Sequence, residues 1–525
     1  MRVLGVEGTA WCASAACYDA EADAVLIESD AYEPESGGIH PREAAEHMQE
    51  ALPAVVDRVL AQVDGPIDAV AFSRGPGLGP CLRIVGTTAR ALAGALEVPL
   101  VGVNHMVAHL EIGRHESGFA SPVCLNASGA NAHLLGYRNG RYRVLGETMD
   151  TGVGNAIDKF TRHVGWSHPG GPKVEAHAED GEFVDLPYVV KGMDFSFSGI
   201  MSAAKQAYDD GTPVADVCFS LQEHIFAMLT EVSERALSLT GSDELVLGGG
   251  VAQNARLREM LETMCEQRGA EFFAPEPRFL RDNAGMIAVL GAKMYAAGDT
   301  LAIPESGVDP NFRPDEVPVT WRDDEEDVAI APESGPVRGA EAIVEFDDDT
   351  VRKRRVPKRY RHPDLDATLR RDRTVQEARL TSLARRVGVP TPVVRDVDVR
   401  SATIEFEHVG AADLRDDLSA ARVRDVGRHL ATIHEAGFVH GDPTTRNVRV
   451  GGPDDRVYLV DFGLGYHTDH VEDYAMDLHV FDQSLVGTAD DPDELRAVVR
   501  DGYREVGDEQ VLTRLRDVEG RGRYR

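Results

Sequence analysis

Val98-Pro-Leu-Val-Gly-Val-Asn-His-Met-Val-Ala-His109 runs an apolar strand straight into a helix, and this junction decides how the first half of the chain is read. The run Val98–Val103 has the composition of a buried strand. His105 and His109, four residues apart, project from one face of the helix that follows. A neutral imidazole is the commonest side-chain metal ligand, so the pair can form two corners of a metal site. Zinc proteases use the same spacing with a Glu after the first His as general base. Met106 stands there in this chain, so a metal-dependent endopeptidase built on the pair lacks its base.

Outward from this junction, residues 1 to about 321 alternate strand-like apolar runs with amphipathic helices, the pattern of α/β layering. Met1-Arg-Val-Leu-Gly-Val-Glu-Gly-Thr-Ala10 predicts a strand that turns on Gly8, with Ala24-Val-Leu-Ile-Glu28 as its partner. Helices are expected around Pro41–Val63, Leu82–Leu96 and Asn254–Gln267. Three strands end in glycine turns: Gly5-Val-Glu-Gly-Thr9, Asn126-Ala-Ser-Gly-Ala-Asn131 and Leu247-Gly-Gly-Gly-Val-Ala-Gln-Asn254. Glycine lets backbone N–H groups approach a phosphate, and three such turns suggest a nucleotide clasped between two halves.

The chain has 525 residues, too many for one ordinary domain. Its 88 Asp and Glu against 55 Lys and Arg give a net charge of −33, spread along the whole length. That balance argues against a general nucleic-acid-binding surface. A strongly acidic, Lys-poor surface suits a cytosol with very high salt, where screening falls to a few Å. The six cysteines show no metal-type pairing and read as small buried residues of a reducing, cytoplasmic protein. No apolar run is long enough for a membrane span.

From 322 to 336 the sequence becomes acidic and then Pro/Gly-marked, which places a connection there and a second domain at 337–525. That domain carries Val439-His-Gly-Asp442-Pro-Thr-Thr-Arg-Asn447, then an apolar strand and Val460-Asp461-Phe-Gly463. A loop carboxylate, an Asn five residues on and an Asp before Phe-Gly form the layout for phosphoryl transfer. Asp442 would orient or deprotonate the acceptor as the catalytic residue, while Asn447 and Asp461 hold Mg2+ against ATP. Lys353 in a strand and Glu377 in a helix fit the phosphate-gripping lysine and its partner. The glycine loop is degenerate, Gly441 stands where Arg is usual, and no Ala-Pro-Glu follows. A protein-substrate platform is therefore not expected, leaving ATP hydrolysis or autophosphorylation.

With these segments in view, residues 1–321 resemble the universal tRNA threonylcarbamoyltransferase family, the TsaD-like proteins. The resemblance rests on Gly5–Trp11, Ser73–Gly79, Asn104–His109, Ser128–Asn131, Gly170–Glu175, Asp194–Gly199, Gly249–Asn254 and Arg281-Asp-Asn283. Residues 337–525 resemble the small atypical Ser/Thr kinase of the KEOPS complex, through Lys353–Pro363, His440–Asn447 and the Arg-Gly-Arg-Tyr-Arg ending. The resemblance implies an α/β actin/Hsp70-like domain, that is, a duplicated RNase H-like (ASKHA) fold. An α+β small protein-kinase-like domain would follow it.

It further implies transfer of threonylcarbamoyl from threonylcarbamoyl-AMP to N6 of the adenosine 3′ of the anticodon, in tRNAs reading codons that begin with A. Carried over, His105, His109 and Asp282 are the ligands of Fe2+ or Zn2+. Asn126, Ala127, Ser128, Gly129 and Ala130, with Asp158, Gly171, Glu175 and Asn254, would bind the adenylate. Asn126 departs from the Tyr that relatives often have. The other KEOPS subunits are the expected partners. For tRNA, basic residues are offered by Arg352–Arg361 with Arg370, Arg371 and Arg373, and by the terminal Arg521, Arg523 and Arg525. The remaining alternative is a non-catalytic nucleotide-binding scaffold with a regulatory kinase domain.

Overall fold

A computed structural model describes residues 1–32, 40–129, 131–138, 140–322, 337–347, 349–452, 455–489 and 491–519. The first half opens with strands β1 (Arg2–Glu7), β2 (Cys12–Asp19) and β3 (Ala24–Ala31), then helix α1 (Pro41–Leu60). There follow β4 (Ala69–Gly75), α2 (Gly79–Leu96), β5 (Leu100–Asn104) and α3 (His105–Ser117). The five strands pair in the order β3-β2-β1-β4-β5; β1 and β2 are antiparallel, and β4 and β5 run parallel to β1.

The expected pairing of Ala24–Glu28 with the first strand is corrected here. Ala24–Ala31 pairs with β2, which separates it from β1. The intervening Cys-Ala-Ser-Ala-Ala-Cys-Tyr-Asp is almost wholly buried and, up to Cys17, made of small residues, so no alternation marks it.

The pattern then repeats. Strands β6 (Val123–Ala127), β7 (Ala132–Arg138) and β8 (Arg141–Glu147) form a meander, followed by α4 (Val153–His163) and α5 (Gly171–Ala178). A short ladder of β9 (Val190–Lys191) and β10 (Asp194–Phe195) leads to α6 (Ser198–Asp209) and the long α7 (Val214–Thr240). Strand β11 (Glu244–Gly248), helix α8 (Ala255–Arg268), β12 (Glu271–Phe273), the short α9 (Pro277–Leu280) and α10 (Ala284–Ala296) complete this half. The second sheet has the order β12-β11-β6-β7-β8, with β11 parallel to β6 and β12 parallel to β11. Three meander strands and two parallel additions therefore occur twice, the duplicated RNase H-like arrangement. One core joins the two sheets: Val3, Ala71 and Val101 meet Cys124, Leu135 and Val246 through α3 and α10. Helix α10 is buried on every side, as its uniformly apolar sequence requires.

Beyond the connection come β13 (Val337–Arg338), β14 (Ala342–Phe346), β15 (Thr350–Arg355), helix α11 (Pro363–Arg386), β16 (Val394–Asp398) and β17 (Thr403–Glu407). They form an antiparallel sheet in the order β13-β14-β15-β17-β16. A mainly helical part follows: β18 (Ala412–Asp413), α12 (Ala420–Glu435), β19 (Phe438–Val439), β20 (Val448–Val450), β21 (Tyr458–Leu459), β22 (Tyr466–His467), α13 (Val471–Thr488), α14 (Pro492–Arg504) and α15 (Glu509–Glu519). The connection expected over 322–336 lies outside the described residues except for Arg322. That residue is not a linker position: it is buried, donates to Ala120 O at 2.8 Å and stacks over the Tyr137 ring.

The two halves meet along α7. Lys358 pairs with Glu234 at 2.6 Å, both side chains almost fully buried, and Arg361 pairs with Glu231 at 2.7 Å. Arg373 also reaches Glu231, and Tyr360 packs into the core of the first half. The basic stretch assigned to tRNA is thus corrected in part. Arg355, Lys358, Arg361 and Arg373 are buried in ion pairs, while Arg352 stays exposed and pairs with Glu405. Arg521, Arg523 and Arg525 lie outside the described residues. Removing one partner of a buried pair leaves a charge that cannot be solvated, at a cost of ~3–5 kcal/mol. Lys358→Met is therefore expected to lower denaturant stability by that order at constant salt. An unchanged midpoint would mean that Glu234 finds water instead.

Candidate metal centre and nucleotide pockets

Asn104 builds the first site by ending β5 and capping α3. Its Oδ1 accepts from the N–H groups of Met106 and Val107, so the first turn starts at His105 and both imidazoles face inward. Asp282 arrives from far along the chain, two residues before α10, whose own cap is Asn283 and which packs in the same core as α3. Asp282 Oδ1 lies 3.3 Å from His105 Nε2 and 3.5 Å from His109 Nε2. All three ligand atoms fall within 4.8 Å of one another. Ligands ~2.1 Å from a shared tetrahedral ion stand ~3.4 Å apart, so the donor set fits a divalent metal.

Glu7, the last residue of β1, accepts from Ser73 Oγ and lies 3.3 Å from His105 Nδ1. This contact orients the ring and turns Nε2 toward Asp282, the outer-shell arrangement of many metal sites. In the sequence Glu7 is visible only as part of a glycine turn, with nothing to mark it as a partner of His105. Burial opposes a charge on His105, yet Glu7 and Asp282 outweigh it and raise its pKa to about 10. Burial lowers that of His109. Desolvation works to raise the pKa of the half-buried Asp282, yet the two histidines hold it well below the usual carboxylate range. A cluster this polarised favours a cation at its centre. Glu7→Gln should weaken metal retention ~10–100-fold, read by metal content after dialysis against graded chelator. Unchanged retention would remove Glu7 from the site.

The predicted adenylate residues are linked around the same turns. Gly249 has φ +86°, and a Cβ there would lie 2.3 Å from Ala127 O, so only glycine lets β6 and the turn after β11 come this close. Asn126 is buried, and its Oδ1 has no hydrogen-bond partner among the described residues. Ser128 Oγ accepts from Asn131 N, and Gly129 O accepts from Asn155 N. Asp158 accepts from Gly170 N at 2.7 Å, next to Gly171 at the start of α5. Glu175 accepts from Ala255 N at 2.9 Å, and Asn254 caps α8 while donating to Gln222. Ala130 lies outside the described residues.

The second half encloses a cavity of about 300 Å³ lined by Lys353, Glu377, Asp442, Asn447 and Asp461, with Val344, Val351 and Phe406 as apolar wall. Lys353 Nζ lies 2.9 Å from Glu377 Oε1 and 2.6 Å from Asp461 Oδ1. Arg355, part of the basic stretch expected to meet tRNA, instead gives Glu377 a second cation at 2.6 Å. Asp461 is partly exposed, with φ +66°; desolvation works to raise its pKa, yet Lys353 and Arg355 hold its carboxyl far below the ordinary range. Asn447 Nδ2 donates to both Asp442 O and Oδ2, at 2.9 and 3.1 Å.

Gly441, which replaces the usual Arg, has φ +84°, and a Cβ would sit 2.2 Å from Leu464 O. Its N–H and that of His440 are held by the Asp477 carboxylate, and its carbonyl accepts from Gly192 N of the first half. The loop after β13 that closes the cavity is held by charge rather than glycines, since Glu341 pairs with Arg361 and Arg373.

The family model for TsaD, tRNA N6-adenosine threonylcarbamoyltransferase, matches residues 23–289. A "Probable bifunctional tRNA threonylcarbamoyladenosine biosynthesis protein" of Halobacterium salinarum is 75% identical over 528 residues, covering 100% of this chain and 99% of that protein. A protein of the same description from Natronomonas pharaonis is 73% identical, with 100% and 99% covered. Another from Methanospirillum hungatei is 51% identical, with 99% of each covered.

Proposed function

This chain belongs to the TsaD family and matches bifunctional relatives from end to end, and from that premise we propose that it makes N6-threonylcarbamoyladenosine in tRNA. The observation that carries the reading is the His105–His109–Asp282 cluster, which lies within the family span, beside turns suited to an adenylate. The donor is threonylcarbamoyl-AMP and the acceptor is N6 of the adenosine 3′ of the anticodon in tRNAs reading ANN codons. His105, His109 and Asp282 would hold Fe2+ or Zn2+, which would supply Lewis-acid polarisation of the donor carbonyl.

The chain's own residues do the positioning. The amide groups of the Asn126–Gly129 and Gly249 turns face the donor phosphate, while Asp158, Gly171, Glu175 and Asn254 hold the ribose and base. The bond from adenine N6 to the carbamoyl carbon forms as the carbon–oxygen bond to phosphate breaks. AMP leaves with the electron pair and N6 loses its proton. Orientation in a closed site converts a poor nucleophile into an effective one.

The second half, which we place at 337–525 after a first domain of 1–321, is a protein-kinase-like domain that binds Mg-ATP. Lys353, paired with Glu377, grips the phosphates, Asn447 and Asp461 hold Mg2+, and Asp442 receives the acceptor's proton. ATP hydrolysis, or Ser/Thr phosphorylation, regulates the complex formed with tRNA and the other KEOPS subunits. No helix among the described residues is long and apolar enough to cross a membrane, in keeping with a cytoplasmic site of action.

Nucleotide titration tests the two-site reading. A non-reactive threonylcarbamoyl-AMP analogue and Mg-ATP should bind one equivalent each. Asp158→Ala should weaken only the first and Lys353→Ala only the second. One shared site would overturn it.

A further inference from the structure

Arg235 sits on α7, in the first half of the chain, yet lines the ATP cavity of the second. Its Nη1 lies 2.9 Å from Asp442 Oδ2, and its Nη2 lies 3.0 Å from Glu231 one turn earlier. The guanidinium is buried and held on both sides. Glu231 cannot drift, because Arg361 and Arg373 grip it from the other half. Buried cations usually face a carboxylate, so interface adhesion is the simplest account of Arg235. Adhesion alone does not require that the carboxylate be Asp442. Elsewhere on the same interface Lys358–Glu234 and Lys191–Asp473 join the halves through residues that do not line the cavity.

We propose that Arg235 is a positioning residue for ATP hydrolysis, supplied in cis to the second half's pocket by the first. The inference rests on the Mg-ATP reading above. A planar fork fixes a carboxylate in two directions, and Asp442 is so fixed by Arg235 and by Asn447. In the reaction a bond forms between a water oxygen and the γ-phosphorus. The bond from that phosphorus to the β–γ bridging oxygen breaks, and ADP keeps the electron pair. The water proton passes to Asp442 and then to solvent. Arg235 aims the accepting carboxylate at the attacking water and keeps it ionised beside a fixed cation. The second half then lacks a complete site unless the first is docked on it, which ties ATP turnover to the assembled chain.

The test compares steady-state Mg-ATP hydrolysis by the full chain and its variants at one high salt concentration. Arg235→Gln should lower kcat by ~10²–10³-fold, toward the range known for cis arginines in phosphoryl transfer, while KM for ATP stays close to that of the unaltered chain. Arg235→Lys should recover part of kcat, and millimolar guanidinium should raise the activity of Arg235→Gly. Lys191→Met, which cuts an ion pair between the halves outside the cavity, should leave kcat and KM unchanged. Equal losses in Lys191→Met and Arg235→Gln, without guanidinium rescue, would reduce Arg235 to adhesion and overturn the proposal. Full activity of Arg235→Gln beside an inactive Asp461→Ala would overturn it while the ATP-site reading stands. No ATP binding by the unaltered chain would remove both.

Discussion

His109→Ala abolishes threonylcarbamoyl transfer while ATP hydrolysis in the other half continues. The side chain is buried, and its Nε2 is one of three ligand atoms gathered around Asp282 Oδ1. Loss of one ligand from three empties the site or leaves the metal misplaced. The expected loss is on the order of 10³-fold, equivalent to several kcal/mol of Lewis-acid stabilisation. Metal analysis should report a matching loss of bound ion. The far-ultraviolet spectrum should not change, because Asn104 and not His109 caps the helix. Transfer at the normal rate by a metal-free His109→Ala protein would contradict the assignment.

Asp461→Ala has the second large effect, confined to the other half. Asp461 is the carboxylate closest to Lys353, at 2.6 Å, in a turn that positive φ aims into the cavity. Without it Mg2+ loses its strongest ligand, and ATP turnover should fall by at least ~10³-fold, since positioning and charge neutralisation carry nearly all of this chemistry. Lys353 keeps Glu377 as a partner, so the fold should survive. Thermal unfolding close to that of the unaltered chain is the control, and retained turnover would mean that the cavity uses another metal ligand.

What the sequence revealed follows the range over which its signals act. His105 and His109 are four residues apart and could be paired from helical spacing. Asp282 lies far along the chain, is brought in by closure of the duplicated fold, and was accessible only through resemblance. Asp442, Asn447 and Asp461 stood out because their spacing lies within one loop–strand unit. Arg235 did not, because an arginine in a long helix reads as a solvated charge until its partner is known. The same blindness misassigned Arg355, Lys358, Arg361 and Arg373. They form a basic run in sequence, but Glu231 and Glu234 of α7 take Arg361, Arg373 and Lys358 into buried pairs, and Glu377 takes Arg355. Strand β2 escaped notice for a different reason, since small residues buried on both faces leave no alternation to read.

The most direct measurement is mass analysis of nucleosides from unmodified tRNA incubated with the full chain, the accessory subunits and enzymatically made threonylcarbamoyl-AMP in high salt. The account predicts N6-threonylcarbamoyladenosine at the position 3′ of the anticodon, formed by the unaltered chain and not by His109→Ala. Unmodified tRNA recovered from a chain that still binds metal and hydrolyses ATP would contradict it.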